Sequence, residues 1–255
     1  MHTKQLLKNI YLIIEAMKKF KNWPDYFLDL FKLTKKNEII YETRDGLKLL
    51  TRAKTTDRGI LTTLILQDEY ELEKLSLTNF VVIDIGGQNG YFSCLAAKKG
   101  GTIYTFEPIL DNYAYINKNI ALNNMENNIH PFNLAVSNLP NKVKIFRHKE
   151  NTGGHSIYGT GNNFIEVQAI RLANIFDEHK IEKCDLLKMD VEGSEYNILY
   201  NLEEIYFKKI MRISMECHNI DKEKNNPQQL IEFLKGKKFD VVYKEPILFA
   251  NRQHI

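Results

Sequence analysis

Apolar residues change period along this chain, and the changes divide it. Leu6, Leu7, Ile10, Ile13, Ile14 and Met17 recur every three or four residues, which predicts an amphipathic helix over about residues 3–20 with one apolar stripe. Pro24 opens a second short helix, Asp25–Leu33, so the two can form a helical hairpin. The stripe needs a cover. The main domain or a second subunit, as in a homo-oligomer, is the first expectation, and a membrane surface is the alternative because lysine is dense here. Lys4, Lys8, Lys18, Lys19, Lys21, Lys32, Lys35 and Lys36 face only Glu15, Asp25, Asp29 and Glu38, a weakly basic arm or a solvated helix face. Residues 1–37 are read as this arm and 38–255 as the main domain.

After the arm the period falls to two. Glu38–Thr43 and Leu47–Ala53 flank Arg44-Asp45-Gly46, a β-hairpin signal. Asp57 is expected to cap a helix from about Arg58 to Leu75, with Asp68, Glu69, Glu71 and Glu73 on solvent. Strand and helix then alternate: Phe80–Asp84, Tyr91–Lys98, Thr102–Phe106, Asp111–Leu122 and Ile129–Ala135. Short β-like pieces, Lys142–Phe146 and Phe164–Ala169, surround a glycine-rich excursion, Asn151–Ser156, where His155 is placed against the acceptor. Leu172–His179, Cys184–Met189, Ser194–Tyr200, Met211–Met215 and Pro227–Lys235 resume the alternation. The link between Phe239–Tyr243 and Ile247–Asn251 is too short for a helical crossover, so one of them runs antiparallel. The fold class is α/β, a doubly wound, mainly parallel sheet of about seven strands.

The chemistry begins at the first core strand. Val81-Val82-Ile83-Asp84-Ile85 runs into Gly86, Gly87 and Gly90, a strand–glycine turn–helix unit in which backbone amides approach a ligand. A dinucleotide fingerprint needs glycines at first, third and sixth positions, and here an acid, Asp84, precedes a different spacing. Asp84 would repel a pyrophosphate and attract the ammonium and sulfonium of S-adenosylmethionine (SAM). Glu107-Pro108 ends the next strand, where an acid accepts hydrogen bonds from ribose hydroxyls.

Composition narrows the class. At 44% hydrophobic and 26% charged residues, disorder is not indicated, and a net charge of +3 without a basic stripe argues against nucleic acid. No apolar run has the length of a membrane span, so no integral membrane segment is expected. Cys94, Cys184 and Cys217 are widely spaced, which fits neither a disulfide framework nor a zinc knuckle and suggests a cytoplasmic protein.

Four segments carry a resemblance: Asp84-Ile85-Gly86-Gly87-Gln88-Asn89-Gly90, Phe106-Glu107-Pro108, Leu134-Ala135-Val136-Ser137 and Leu187-Lys188-Met189-Asp190-Val191-Glu192-Gly193-Ser194-Glu195. Over about residues 80–220 the chain resembles the FkbM family of SAM-dependent methyltransferases. The resemblance implies the class I methyltransferase fold, O-methylation of sugar or polyketide-type hydroxyls, and SAM contacts at Asp84, Gly86, Gly87, Gln88, Asn89, Gly90, Glu107, Pro108 and Ala135. Gln88 stands where family members commonly carry Asn, keeping an amide with a longer reach.

Methyl transfer to a hydroxyl needs alignment and a base. Asp190 and Glu216 fall at the ends of successive core strands, with Glu192 and His218 nearby, and His218 or Asp190 is favoured as the base. Glu195 is expected as a first-turn acid with Ser194 as helix cap, and Asp190, Glu192 and Glu216 could instead hold magnesium. Other readings are a nucleotide-dependent oxidoreductase, a peptide or N-acceptor methyltransferase, and a non-catalytic binding protein. The resemblance implies a small-molecule or glycan acceptor, with surface polysaccharide synthesis as the expected setting.

Overall fold

Short β-branched runs bounded by glycine and polar turns build the centre of the molecule. In the computed structural model, which describes residues 2–74, 78–138, 141–146 and 164–253, these runs form seven strands. They are β3 (Val81–Ile85), β4 (Thr102–Phe106), β5 (Ile129–Phe132), β9 (Leu186–Met189), β10 (Arg212–Glu216), β11 (Phe239–Lys244) and β12 (Ile247–Arg252). Their order is β11-β12-β10-β9-β3-β4-β5, and β12 alone runs antiparallel to both of its neighbours. The expected antiparallel end strand is therefore the last one, inserted between β10 and β11.

Alternation along the strands serves two apolar layers. Val82 and Ile103 face a cluster containing α4 (Tyr91–Lys98) and α5 (Leu110–Leu122). Ile83, Ile85 and Leu187 face the other, which holds α6 (Leu172–Glu178), α7 (Glu195–Tyr200) and α9 (Pro227–Gly236). Helices on both faces make the sheet doubly wound, as expected for a parallel core.

Before the core, the hairpin forms as β1 (Glu38–Glu42) and β2 (Lys48–Arg52), and the arm as α1 (His2–Lys19) and α2 (Trp23–Leu30). The covered face of α1 is Leu12 and Ala16, continued by Phe20, whereas Leu7, Ile10, Ile14 and Met17 of the anticipated stripe are exposed and its Ile13 is half-buried. The helix is apolar on two opposite faces, and pattern alone cannot choose between them.

Three further expectations change. The helix predicted over 58–75 is α3 (Asp57–Leu61), continued by a wide π-helical turn at Thr62–Leu66 and ending there. Asp68 and Glu71 then take left-handed backbone, φ 47° and 52°, which turns the chain back and half-buries Asp68 and Glu69 rather than leaving them on solvent. The strand predicted over 129–135 breaks at Asn133, whose Nδ2 donates to the carbonyls of Glu107 (2.9 Å) and Pro108 (3.1 Å). Beyond that break, β6 (Ala135–Val136), β8 (Phe164–Ile170) and β7 (Asn141–Phe146) make a separate three-stranded sheet in that order. His155 and the glycine-rich excursion lie outside the described residues.

Candidate active site

Register sets the site. Ile85 pairs with Phe106 on one side and Met189 on the other, and Met189 pairs with Met215. The residues that follow, Gly86, Glu107, Asp190 and Glu216, therefore stand in a row along the carboxyl edge of the sheet, where open α/β sheets bind ligands. Two cavities open there, of about 320 Å³ and 60 Å³, and Gly86, Gln88, Asp190 and Glu192 are in the walls of both.

The glycine loop is tight for a measurable reason. A Cβ on Gly86, whose φ is 78°, would lie 1.8 Å from the carbonyl oxygen of Asp190, and one on Gly87 would lie 2.2 Å from Thr105 Oγ1. Only glycine lets the three strand ends close up in this way. Beneath the loop Asp84 is fully buried on the α4 face of β3, accepting from Ser93 Oγ at 2.6 Å and from Thr105 Oγ1 at 3.3 Å. Its Oδ1 is 3.1 Å from Lys188 Nζ, which also donates to the carbonyl of Gly86 at 2.7 Å. Asp84 lines neither cavity, which corrects its placement at the mouth of the loop: strand alternation turns it toward the helix. Burial works against the Lys188 ammonium, but Asp84 and Asp190 beside it hold its pKa above the usual lysine value.

Glu107 closes the smaller cavity with Pro108, Ile109 and Ala135. Its Oε2 accepts from Gln88 N at 2.9 Å and its Oε1 from Ile109 N at 2.8 Å, while burial pushes its pKa up to about 7. The Asn112 side chain is hydrogen-bonded to the same carboxylate, which leaves one of its roughly four lone-pair sites to accept from a ribose hydroxyl. Gln88, at φ 47°, has its side-chain Oε1 buried without a hydrogen-bond partner. A SAM-like donor fits these walls: Glu107 suits the ribose and the orphaned Gln88 oxygen offers an acceptor to an N–H or O–H group. Gly87 and Asn89 are also in the wall of the larger cavity, with Asn89 Oδ1 accepting from Arg52 Nη2 at 2.9 Å, whereas Gly90 lines neither cavity and sits against Ile116.

The four residues chosen for chemistry do come together. Asp190, Glu192 and Glu216 line the larger cavity, and His218 stands behind them. His218 Nε2 lies 3.2 Å from Glu192 Oε2 and 3.7 Å from Glu216 Oε1, and its Nδ1 is 3.2 Å from Glu195 Oε1. Burial disfavours the charged ring, yet Glu192 and Glu195 lift its pKa to about 10. The carboxylates around His218 thus favour its imidazolium form, which makes it a poorer base than the free ring expected from the sequence. Burial, and then Asp190, raise Glu216 to about 7, and burial also raises Asp190. Glu216 and Asp190 are the groups suited to accept a proton.

Of two nearby expectations, one fails and one holds. Ser194 makes no side-chain cap. Glu195 is in the first turn of α7, as expected, and is fully buried there, accepting from Gly193 N at 2.9 Å and His218 N at 2.7 Å, so it also fixes the imidazole through Nδ1. Among the described residues no group of three or more His, Cys, Asp or Glu side chains is arranged to hold a metal ion. The magnesium variant at Asp190, Glu192 and Glu216 finds no support in that arrangement, where His218 Nε2 lies against Glu192 and Glu216.

Sequence reasoning passed over three residues. Glu69 and Tyr70 roof the larger cavity, with Tyr70 Oη donating to Asp190 Oδ2 at 3.4 Å and the Lys188 ammonium 5.4 Å from the Tyr70 ring centre. A lysine inside the apolar run Leu186–Met189 is the available signal for Lys188, because a charge there demands a partner. Glu69 and Tyr70 carried no comparable signal, since their place depends on the helix ending early.

Known proteins bear on this geometry. A 31-O-demethyl-FK506 methyltransferase, FkbM, from Streptomyces tacrolimicus is 32% identical over 89 residues, which is 35% of this chain and 33% of that one. A methyltransferase, sdnD, from Sordaria araneosa is 24% identical over 180 residues, covering 58% of this chain and 69% of its own. The first alignment therefore spans a third of the relative's length. Among solved structures, a SAM-dependent methyltransferase from Agrobacterium tumefaciens superposes with a TM-score of 0.51 at 10% identity, over 86% of this chain and 71% of that one, a likeness of fold. The methyltransferase FkbM domain model matches residues 84–241, from the glycine loop to β11, and the chain belongs to that family.

Proposed function

We propose that this protein is a SAM-dependent O-methyltransferase that methylates a hydroxyl of a sugar or glycan precursor, as in surface polysaccharide assembly. The observation that carries the reading is Glu216, a cavity-lining carboxylate raised to about 7 beside a raised Asp190. Bound SAM would supply an electrophilic methyl group. Glu107, Gln88 and the backbone at Gly86–Gly90 would hold that donor, with Pro108 and Ala135 along the smaller cavity. Glu216 takes the proton of the acceptor hydroxyl, while the His218 cation orients Glu192 and Glu216 and stays charged. Tyr70 donates to Asp190 and so holds the second carboxylate toward the cavity.

Acceptor chemistry is read from the walls. Glu69, Asp190, Glu192 and Glu216 with Thr56 and Thr63 offer many hydrogen-bond acceptors, and the Lys188 ammonium in the same wall is already paired with Asp84, which suits a neutral polyhydroxyl group. The name of the Streptomyces relative places its methyl group on oxygen, in keeping with an O-acceptor. Three buried free thiols, Cys94, Cys184 and Cys217, are in keeping with a cytoplasmic setting.

Labelled SAM with a panel of nucleotide sugars and oligosaccharides, followed by mass spectrometry for an added methyl, tests the reading. Glu216→Gln should lower transfer by about 10²-fold or more while S-adenosylhomocysteine still binds. Absence of binding by SAM and S-adenosylhomocysteine in calorimetry sinks it.

A further inference from the structure

The face of α1 opposite the core is apolar and uncovered: Leu7, Ile10, Tyr11, Ile14 and Met17 are 61%, 45%, 54%, 46% and 42% exposed. Their spacing places them on a single stripe, while Leu12 and Ala16 are buried on the other side. α2, which packs on α1, and the turn after it add exposed Phe27, Leu28, Phe31 and Leu33. So much exposed apolar surface on one arm marks an interaction site.

Charge identifies the occupant. The first 36 residues carry eight lysines against three carboxylates, a net +5, so the rest of the chain carries −2 of its total +3. Lys18, Lys19, Lys21, Lys32, Lys35 and Lys36 of the same arm are exposed, with Lys18, Lys21 and Lys36 in surface ion pairs with Glu15, Glu42 and Asp25. A second copy seated on the same face would bring its own +5 against this one, which disfavours an isologous dimer. An anionic surface gains from both features. No described helix is long and apolar enough to cross a membrane, so α1 would lie along the interface. We infer that α1 and α2 dock this protein on an anionic phospholipid surface, with apolar side chains in the headgroup region and lysines on the phosphates. The buried side of α1 packs near Leu64, Ile65 and Leu66 of the π-helical turn, and Leu64 also walls the larger cavity. The docking helix therefore backs directly onto the roof of the candidate site.

Flotation of the full chain with vesicles of equimolar phosphatidylglycerol and phosphatidylcholine, compared with phosphatidylcholine alone, tests the inference. The chain should float with the anionic vesicles only and be released by high salt. Ile14→Glu and Tyr11→Glu should each weaken vesicle partition by about tenfold, since each removes one inserted apolar side chain. Their melting temperature and S-adenosylhomocysteine binding should be unchanged, because both side chains are at the surface. Lys19→Glu with Lys35→Glu gives an independent check that leaves the apolar stripe intact, and it should also weaken flotation. Failure of the unaltered chain to float on anionic vesicles overturns the inference. So does equal flotation on phosphatidylcholine alone, or light scattering that shows a dimer which Ile14→Glu dissociates while vesicle binding is absent. None of these outcomes depends on methyl transfer.

Discussion

Lys188 and Asp84 face each other across two parallel strands with almost no solvent, 4% and 0% exposed at the side chain. The ammonium also holds the Gly86 carbonyl, so this ion pair supports the glycine loop from below. Replacing Lys188 with methionine keeps the volume but leaves Asp84 buried without its cation, and should cost about 3–5 kcal/mol in chemical denaturation. Lys188→Met with Asp84→Asn together should recover most of that loss, because the second change removes the stranded charge. A variant as stable as the parent would show that the pair contributes nothing. Residue identities at the strand ends are legible in the sequence because β3, β4 and β9 are short, largely apolar runs followed by glycine or an acid, and β10 ends on an acid, Glu216. Side-chain direction was harder. Asp84 was assigned by proximity to the loop, whereas the alternation of β3 turns it toward Ser93.

At the scale of elements, the hairpin is less peripheral than its position in the chain suggests. Arg52 at the end of β2 pairs with the buried Asp57 at 2.9 Å, and its Nη2 donates at 2.9 Å to both Asn89 and Asn112. One guanidinium thus joins the hairpin, the start of α3, the glycine loop and α5. Arg52→Ala should destabilise the protein by about 2–3 kcal/mol, since several charge-assisted hydrogen bonds go with it. It should also weaken S-adenosylhomocysteine binding, because Asn89 loses an anchor, and calorimetry on the folded variant separates the two effects. Asp57 looked like a helix cap because it precedes a helical pattern, and a buried partner 5 residues back has no periodic signature. The same limit explains the roof of the cavity. An apolar pattern over 58–75 reads as one helix, but the left-handed backbone at Asp68 and Glu71 is a tertiary choice that the pattern does not encode.

For the molecule as a whole, pH couples stability to activity in opposite directions. Glu107 and Glu216 are both raised to about 7, so the folded state binds their protons more tightly than the unfolded chain does. Their contribution to stability is complete below the unfolded value near 4.5 and is lost as pH rises through 7. His218, raised to about 10, contributes fully below its unfolded value near 6.5 and loses that contribution as pH rises through 10. The melting temperature of the ligand-free protein should therefore fall from pH 5 toward pH 10. With Glu216 as the proposed base, the rate of methyl transfer should rise about tenfold per pH unit up to about 7 and then level while His218 keeps its proton. Binding of S-adenosylhomocysteine should strengthen over the same rise, because ribose hydroxyls donate to the ionised Glu107. Glu216→Gln should abolish the pH dependence of transfer at low residual rate yet leave that of binding, which remains with Glu107. A rate that instead falls as pH increases through 7 would require an acid in the step, and Glu216 could not then be the base.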